Sequence, residues 1–502
     1  MEFFTIGLPA ALSLEAVLYC FGGVALGTFI GVIPGLGPLA AVSLLLPVTI
    51  YFDPLISLIT LAGIYYGAEY GGAIASILLN MPGTPGNAIT CLDGHPLAIR
   101  GEAGKALFTA AVSSFFGGCI GILVLQALAP LLVKVAMSFG PAEYFAAILL
   151  ALIAASTISG GSALKGLAML FGGILVGTIG TDTYTGVLRF SFGQFELMDG
   201  VTIALVALGL FAIGEVALSV GSGNRSGSAR FAYRDLFPTR AELRRIRMPA
   251  VRGSLFGSFF GFLPGVGPAV AVLSAYATEK KLAKNPEEFG TGRIEGVAAP
   301  EAANNAGVQT AFIPTLSLGI PGSATTAVML GALIMAGIVP GPRLIENEPT
   351  LFWGLIASFW IGNILLLVLN LPMLGLWASV LRIPYGYLYP GIIALLCAGV
   401  YSIHSSAFEV RLVLVFGLIG FGGRLLGFPP APYLLGFILG PMLEENLRRA
   451  LILADGEFAN IVARPVAGFL LAATALIGLV VAFGSWRRFR VKLRPGVAND
   501  GG

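Results

Sequence analysis

Two stretches of this chain, 230 positions apart, carry the same pattern. Gly27-Thr-Phe-Ile-Gly31-Val-Ile-Pro34-Gly35-Leu-Gly37-Pro38 and Gly257-Ser-Phe-Phe-Gly261-Phe-Leu-Pro264-Gly265-Val-Gly267-Pro268 align without a gap as GxFxGxxPGxGP. Each sits in a strongly apolar segment, where three glycines and two prolines within eight residues interrupt a helix rather than continue it. In a bilayer such a break is tolerated only where it is buried in protein or lines a polar cavity, because free N–H and C=O groups find no partner in lipid. Corresponding breaks in two halves of one chain point to a binding site at membrane mid-depth.

The bilayer enters through composition. Of 502 residues, 56% are hydrophobic and 11% charged, which excludes a soluble globular chain. Apolar windows such as Ala106 to Val133, Val201 to Val220 and Val466 to Phe483 approach the ~20 residues that span the hydrocarbon core as helix. The ten-residue alternation of an outer-membrane barrel is missing. The expectation is an all-α integral membrane protein with roughly 10–12 transmembrane helices in two structural repeats containing broken or re-entrant helices. Met1-Glu2 opens no basic n-region, so no signal peptide is expected to be cleaved. Cys20, Cys91, Cys119 and Cys397 have no CxxC spacing and read as buried, inert thiols, and His95 with His404 is too sparse for a zinc site.

Charge sets the orientation. Arg225, Arg230, Arg234, Arg240, Arg244, Arg245, Arg247 and Arg252 face only Asp235 and Glu242 in the same interval, which places that loop on the cytoplasmic side. A nucleic-acid patch is the rival reading, but the run has little aromatic interleaving and joins two membrane halves. The tail Arg487, Arg488, Arg490, Lys492 and Arg494 is cytoplasmic by the same rule. The chain thus divides into a first repeat (1–220), a basic cytoplasmic linker (221–250), a second repeat (251–484) and a cytoplasmic tail (485–502), the repeats being expected in inverted orientation.

A second pair of breaks follows the first. Leu55 to Leu79, with Glu69 inside it, ends at Asn80-Met-Pro82-Gly83-Thr84-Pro85-Gly86-Asn87, and the other half carries Ile320-Pro321-Gly322-Ser323-Ala-Thr325-Thr326. From first to second break there are 48 residues between Pro34 and Pro82 and 57 between Pro264 and Pro321, a difference that the charged insert Glu279 to Glu295 can supply. Ala40 to Ile50 is too short to cross alone, and Asp93 to Lys105 reads as a polar surface loop.

A helix that restarts after Pro-Gly leaves its first N–H groups unpaired at the positive end of its dipole, where an anion binds without a buried arginine. Thr84 and Ser323 would cap these ends or donate to a carboxylate, with Asn80, Asn87, Thr325 and Thr326 as further neutral ligands. Pro34, Gly35, Gly37, Pro82, Gly83, Pro264, Gly265, Gly267, Pro321 and Gly322 would supply the broken backbone. The plainer alternative is that these glycines and prolines serve helix packing. Glu301, Asn304 and Asn305 offer a carboxylate and two amides near the second break, hard oxygens that suit sodium, and Glu69 is a further acid at membrane depth. The plainer alternative puts both acids at the water interface. Gly101-Glu-Ala-Gly104-Lys105-Ala106 lacks the spacer and hydroxyl of a phosphate loop, and neither HExxH nor GxSxG occurs. An enzyme is therefore not expected, and the energy source is expected to be an ion gradient, with no other cofactor.

Gly31 to Pro38, Asn80 to Gly86, Gly319-Ile-Pro321-Gly322-Ser323 and Gly436-Phe-Ile-Leu-Gly440-Pro441-Met-Leu-Glu444 together resemble the large membrane subunit of the tripartite tricarboxylate transporters, the TctA family. The resemblance runs from about residue 15 to 455. It implies secondary uptake of citrate or related carboxylates across the bacterial inner membrane, sodium-coupled or proton-coupled. It also implies a small four-helix membrane subunit and a periplasmic solute-binding protein as partners. A carboxylate channel and a non-transporting scaffold are the competing readings; no ring of like charge or carbonyl filter repeat supports the channel.

Overall fold

Ser13 starts the first long helix by accepting the Ala16 N–H at 3.2 Å. This helix, α1 (Leu14–Val32), stops at the extended Ile33, immediately before Pro34, and the chain turns through Gly35 at φ 86°. It re-enters helix at Pro38 as α2 (Pro38–Thr49), whose 12 residues reach about 18 Å, well short of a ~30 Å hydrocarbon core. Asp53 caps α3 (Pro54–Leu79), which ends on Asn80 in the left-handed region at φ 56°. The computed structural model describes residues 1–49, 51–82, 84, 86–158, 162–182, 184–221, 236–264, 267–381 and 385–492. Gly83, Gly265, the linker residues 222–235 and the tail from 493 lie outside them.

After a short α4 (Thr90–Leu97), α5 (Ala103–Ala136), α6 (Pro141–Ile158) and α7 (Ala163–Gly177) follow. A two-residue antiparallel ladder pairs Gly180 with Arg189 and Thr181 with Leu188. Beside it the Tyr184 N–H, then Thr185, Arg189 and Arg448, hold Asp182 well below the usual carboxylate range. The first half closes with α8 (Ile203–Ala207), the π-helical Leu208–Ile213 and α9 (Gly214–Gly221).

The second half repeats the opening of the first. A capping box of Thr239 and Glu242 starts α10 (Arg240–Phe262), so the boundary drawn at residue 250 falls inside a helix. It stops at the extended Leu263, and the chain turns to α11 (Gly267–Leu282), α12 (Glu295–Thr310) and α13 (Phe312–Leu318), ending on left-handed Gly319 at φ 69° before α14 (Ala324–Met335). Asn80 and Gly319 are therefore matched left-handed helix ends. Next come α15 (Pro349–Asn370), α16 (Leu374–Val380), α17 (Tyr385–His404), α18 (Ala407–Leu425), α19 (Ala431–Leu453) and α20 (Pro465–Lys492).

The GxFxG part of the pattern is a packing device. A Cβ on Gly27 would lie 2.3 Å from the Ile64 carbonyl oxygen, and one on Gly257 would lie 2.2 Å from that of Ala303. Gly23 and Gly31, like Gly253 and Gly261, meet backbone one turn to either side in the same way. Both halves thus press α1 on α3 and α10 on α12, backbone against backbone, as small residues allow where lipid gives helices no hydrophobic drive to associate. Tyr65, Tyr66, Phe312 and Phe359 then join the halves through ring contacts of 4.8 to 6.4 Å between α3, α13 and α15.

Helices account for nearly all the regular structure, as expected for an all-α membrane chain. Among the described residues three segments, Leu14–Val32, Thr90–Ala136 and Pro349–Asn370, are by themselves long and apolar enough to cross a membrane, and other apolar helices are shorter. Two of these shorter pieces, Pro38–Thr49 and Ala324–Met335, begin just after the breaks at Pro34 and Pro321.

One expectation needs correcting. Asp93 does not sit in a surface loop but is fully buried in α4, where Oδ1 accepts N–H groups of Gly290, Gly292 and Arg293 at 2.7 to 2.9 Å and Oδ2 accepts the Tyr276 hydroxyl at 2.8 Å. A carboxylate with four donors is satisfied without water. It pins the charged insert of the second half to the first.

Candidate functional site

All four breaks converge. A cavity of ≈ 750 Å³ is lined by Gly35 and Gly37 from the first, Pro82, Thr84 and Gly86 from the second, Gly267 from the third, and Ser323, Ala324 and Thr325 from the fourth. Its walls add Tyr65 and Glu69 of α3, Asn304 of α12, Phe211, Glu215 of α9, Arg424 of α18 and the turn Pro429–Pro430. A smaller cavity of ≈ 350 Å³ between α1, α2 and α3 is lined mainly by groups such as Leu18, Leu26, Val48 and Phe52. Its threonines, Thr49 and Thr60, already bond carbonyls of their own helices, so it offers little to a polar ligand.

At the fourth break the helix end is closed on itself. Ser323 Oγ accepts the Thr326 N–H at 3.2 Å and Thr326 Oγ1 accepts the Ser323 N–H at 2.9 Å, a reciprocal cap that fixes the first turn of α14. The N–H groups of Ala324 and Thr325 have no acceptor among the described residues, and both residues line the cavity. These are unpaired donors at the positive end of a 12-residue helix, with Tyr65 OH 3.5 Å from Ser323 Oγ beside them. A carboxylate fits such an end.

At the second break the corresponding groups turn to acids. Asn87 N–H donates to Thr84 Oγ1 at 3.1 Å, as Thr326 does to Ser323, but the Asn87 amide reaches away and donates to Glu301 Oε1 at 3.3 Å. Glu301 also accepts the hydroxyls of Thr90 at 2.5 Å and Ser114 at 2.9 Å. Glu69 Oε2 accepts from Asn304 Nδ2 at 2.8 Å and lies 3.2 Å from Thr84 Oγ1. Both carboxyl groups are buried, and among the described residues neither has a Lys, Arg or His partner. A buried carboxylate without a cation is costly unless hydrogen bonds satisfy it, and a proton or a positive ion at either site would lower that cost.

Acceptors outnumber donors here. The single Thr84 hydroxyl proton has two acceptors in reach, Asn87 Oδ1 at 2.8 Å and Glu69 Oε2, and Asn304 Oδ1 is buried with no partner among the described residues. The Glu69 carboxylate, Thr84 Oγ1, Asn87 Oδ1 and Asn304 Oδ1 form a set of hard oxygens able to hold a monovalent cation, or a proton on Glu69. Among the described residues no group of three His, Cys, Asp or Glu side chains stands together, so a multi-carboxylate divalent site has no support.

The other residues singled out from the sequence fall around this core. Pro34 is buried and Pro264 half-buried at their turns; Asn80 is exposed as the left-handed cap. Gly267 takes φ 69° where its counterpart Gly37 does not, while Gly35 takes φ 86°. Pro321 and Gly322 are buried behind the cavity wall, and the Gly322 N–H already donates to Thr315 Oγ1 at 3.2 Å. A Cβ there would meet the Ala311 carbonyl oxygen at 2.6 Å, so this glycine is needed for packing. Asn305 donates to the Glu301 backbone carbonyl at 3.1 Å and does not join Asn304, since consecutive helix positions point about 100° apart. Gly83 and Gly265 are outside the described residues. Sequence reasoning missed Tyr65, Thr90, Ser114, Glu215 and Arg424; the signal available for the last two was a charge inside an otherwise apolar run.

Comparison with known proteins covers most of the chain. The profile described as tripartite tricarboxylate transporter TctA family matches residues 17–435. From Agrobacterium vitis, the "Uncharacterized 52.8 kDa protein in TAR-I ttuC' 3'region" is 47% identical over 489 residues, 97% of each chain. A second protein of that organism, "Uncharacterized protein in TAR-II ttuC' 3'region", is 51% identical over 224 residues, 45% of this chain and 91% of the relative.

Proposed function

Because this chain belongs to the tripartite tricarboxylate transporter TctA family, we propose that it is the membrane subunit through which a carboxylate delivered by a periplasmic binding protein is imported, driven by a sodium or proton gradient. It works beside a small four-helix membrane subunit in the bacterial inner membrane, with the arginine-rich linker and the C-terminus on the cytoplasmic side. In this reading the open end of α14 at Ser323, Ala324 and Thr325 receives a substrate carboxylate, and the oxygens around Glu69 take the coupling cation. The observation that carries it is the meeting of both groups in one cavity.

That meeting supplies a reason for coupling. Two like unit charges about 6 Å apart at an effective dielectric near 20 repel by about 3 kcal/mol, roughly 100-fold in affinity, so an ionised Glu69 would oppose a carboxylate held in the same cavity. Sodium beside Glu69, or a proton on it, removes the repulsion, so cation and anion bind better together than apart. The Asn87 bridge extends the same charge balance to Glu301.

The test is uptake of labelled citrate, succinate and related acids by proteoliposomes holding this chain, the small subunit and the binding protein, under imposed sodium or pH gradients. Gradient-dependent accumulation that requires all components is expected. Uptake by this chain alone without any ion gradient would contradict the proposal.

A further inference from the structure

We infer that Arg424 engages a second carboxylate group of the transported anion, and that Glu215 holds Arg424 as an internal substitute for that carboxylate while the cavity is empty. This rests on the carboxylate-import reading above and adds to it the residue pair that would distinguish anions by their number of carboxylates.

The placement is built in. A Cβ on Gly420 would lie 2.4 Å from the Leu210 carbonyl oxygen, and one on Gly209 would lie 2.6 Å from that of Val413, so α18 rests on the π-helical Leu208–Ile213 backbone to backbone. One turn beyond Gly420 stands Arg424, in the last turn of α18, where a cation is favoured. The widened π turn shifts the phase of the residues that follow it, a feature frequent at functional sites. Phe211 and Glu215 both face the cavity that Arg424 enters.

The pair itself is suited to exchange. Arg424 Nη1 donates to Glu215 Oε2, the guanidinium lies 5.9 Å from the Phe211 ring centre, and the two side chains keep 18% and 28% of their surface exposed. Among the described residues that is the only hydrogen bond the Arg424 guanidinium makes, out of five N–H donors arranged to grip a carboxylate with two prongs. Arg245 with Glu295 and Arg252 with Glu279 are two-pronged pairs that lie away from the cavity. Arg424 is also the one Lys or Arg among the described residues that line the cavity. An arriving carboxylate can therefore replace Glu215 and gain a second hydrogen bond in doing so. With one carboxylate at the Ala324 and Thr325 N–H groups and one at Arg424, a monocarboxylate fills only half the site.

The experiment measures thermal unfolding of the full chain in lipid nanodiscs against citrate, succinate and butyrate. Wild type should respond to citrate or succinate at concentrations at least tenfold below butyrate. Glu215→Gln frees Arg424 and should tighten that binding about fivefold. The double variant Arg424→Gln/Glu215→Gln leaves no unpaired charge and should fold, yet the preference over butyrate should fall to within about threefold. Arg424→Lys keeps the charge and loses the fork, and should weaken citrate or succinate about tenfold with the ligand-free midpoint unchanged. Wild-type preference in the double variant, unchanged affinity in Arg424→Lys, or weaker binding in Glu215→Gln would each overturn the role of Arg424 alone. No response of wild type to any of the three acids would overturn this inference, whereas the carboxylate-import reading stands or falls with the reconstituted uptake described above.

Discussion

The restart after Asn80 and the restart after Gly319 occupy corresponding places in the two halves, but one is wired to acids and the other to itself. Thr84 and Asn87 share the cap geometry of Ser323 and Thr326, with 3.1 Å and 3.2 Å from backbone N–H to hydroxyl. From there they diverge. Thr326 folds its hydroxyl back on Ser323, so α14 begins at once and keeps two free donors; Asn87 sends its amide to Glu301, and regular helix waits until Thr90. A neutral, self-satisfied helix end suits an anion, and an end tied to two carboxyl groups suits a cation. On the proposed function, one backbone device occurs in both halves, and a few side chains would divide two charges between them.

Substitutions in what the halves share should have the largest effects and treat the halves alike. Gly27→Leu and Gly257→Leu each push a side chain into backbone 2.2 to 2.3 Å away, and both should cost about 3 kcal/mol or more. Near-complete loss of monodisperse protein is expected for either. A well-folded Gly257→Leu protein beside a lost Gly27→Leu protein would break the equivalence of the two helix pairs.

Next come the differences. Glu69→Gln removes the charge that a cation would balance, so carboxylate binding should lose its sodium or pH dependence, a change of about 100-fold between high and low cation in wild type and about onefold in the variant. Ser323→Ala removes the cap of α14 and a hydroxyl beside the open N–H groups, and should weaken carboxylate binding by about 1 to 3 kcal/mol while its cation dependence persists. Thr326→Ala should be mildest, about 1 kcal/mol of unfolding stability with little change in affinity, because its hydroxyl serves only the cap. Titrations of each variant at high and low sodium rank them; an affinity loss in Thr326→Ala larger than in Ser323→Ala would reverse the assignment.

Much of this was legible before any coordinates. Pro-Gly breaks in apolar runs announce interrupted helices, because proline and glycine act locally. Which residues meet across the breaks was not legible. Tyr65 approaches Ser323 from 258 positions away and Glu301 is reached by Thr90 and Ser114 across 211 and 187 positions, none carrying a local pattern. Asn304 and Asn305 read as a pair in sequence, and the helix turn separates them. Asp93 looked like loop because polar residues surround it, and its donors come from an insert about 200 positions later.

The division of charges between the two restarts is tested most directly by cation-dependent carboxylate binding in Glu69→Gln beside Ser323→Ala, measured on the same preparation with labelled citrate at high and low sodium and at two pH values. The account predicts that Glu69→Gln binds citrate with the same affinity whatever the cation, and that Ser323→Ala binds more weakly but with the wild-type response to cation. Cation dependence that survives in Glu69→Gln, or that disappears in Ser323→Ala, would contradict it.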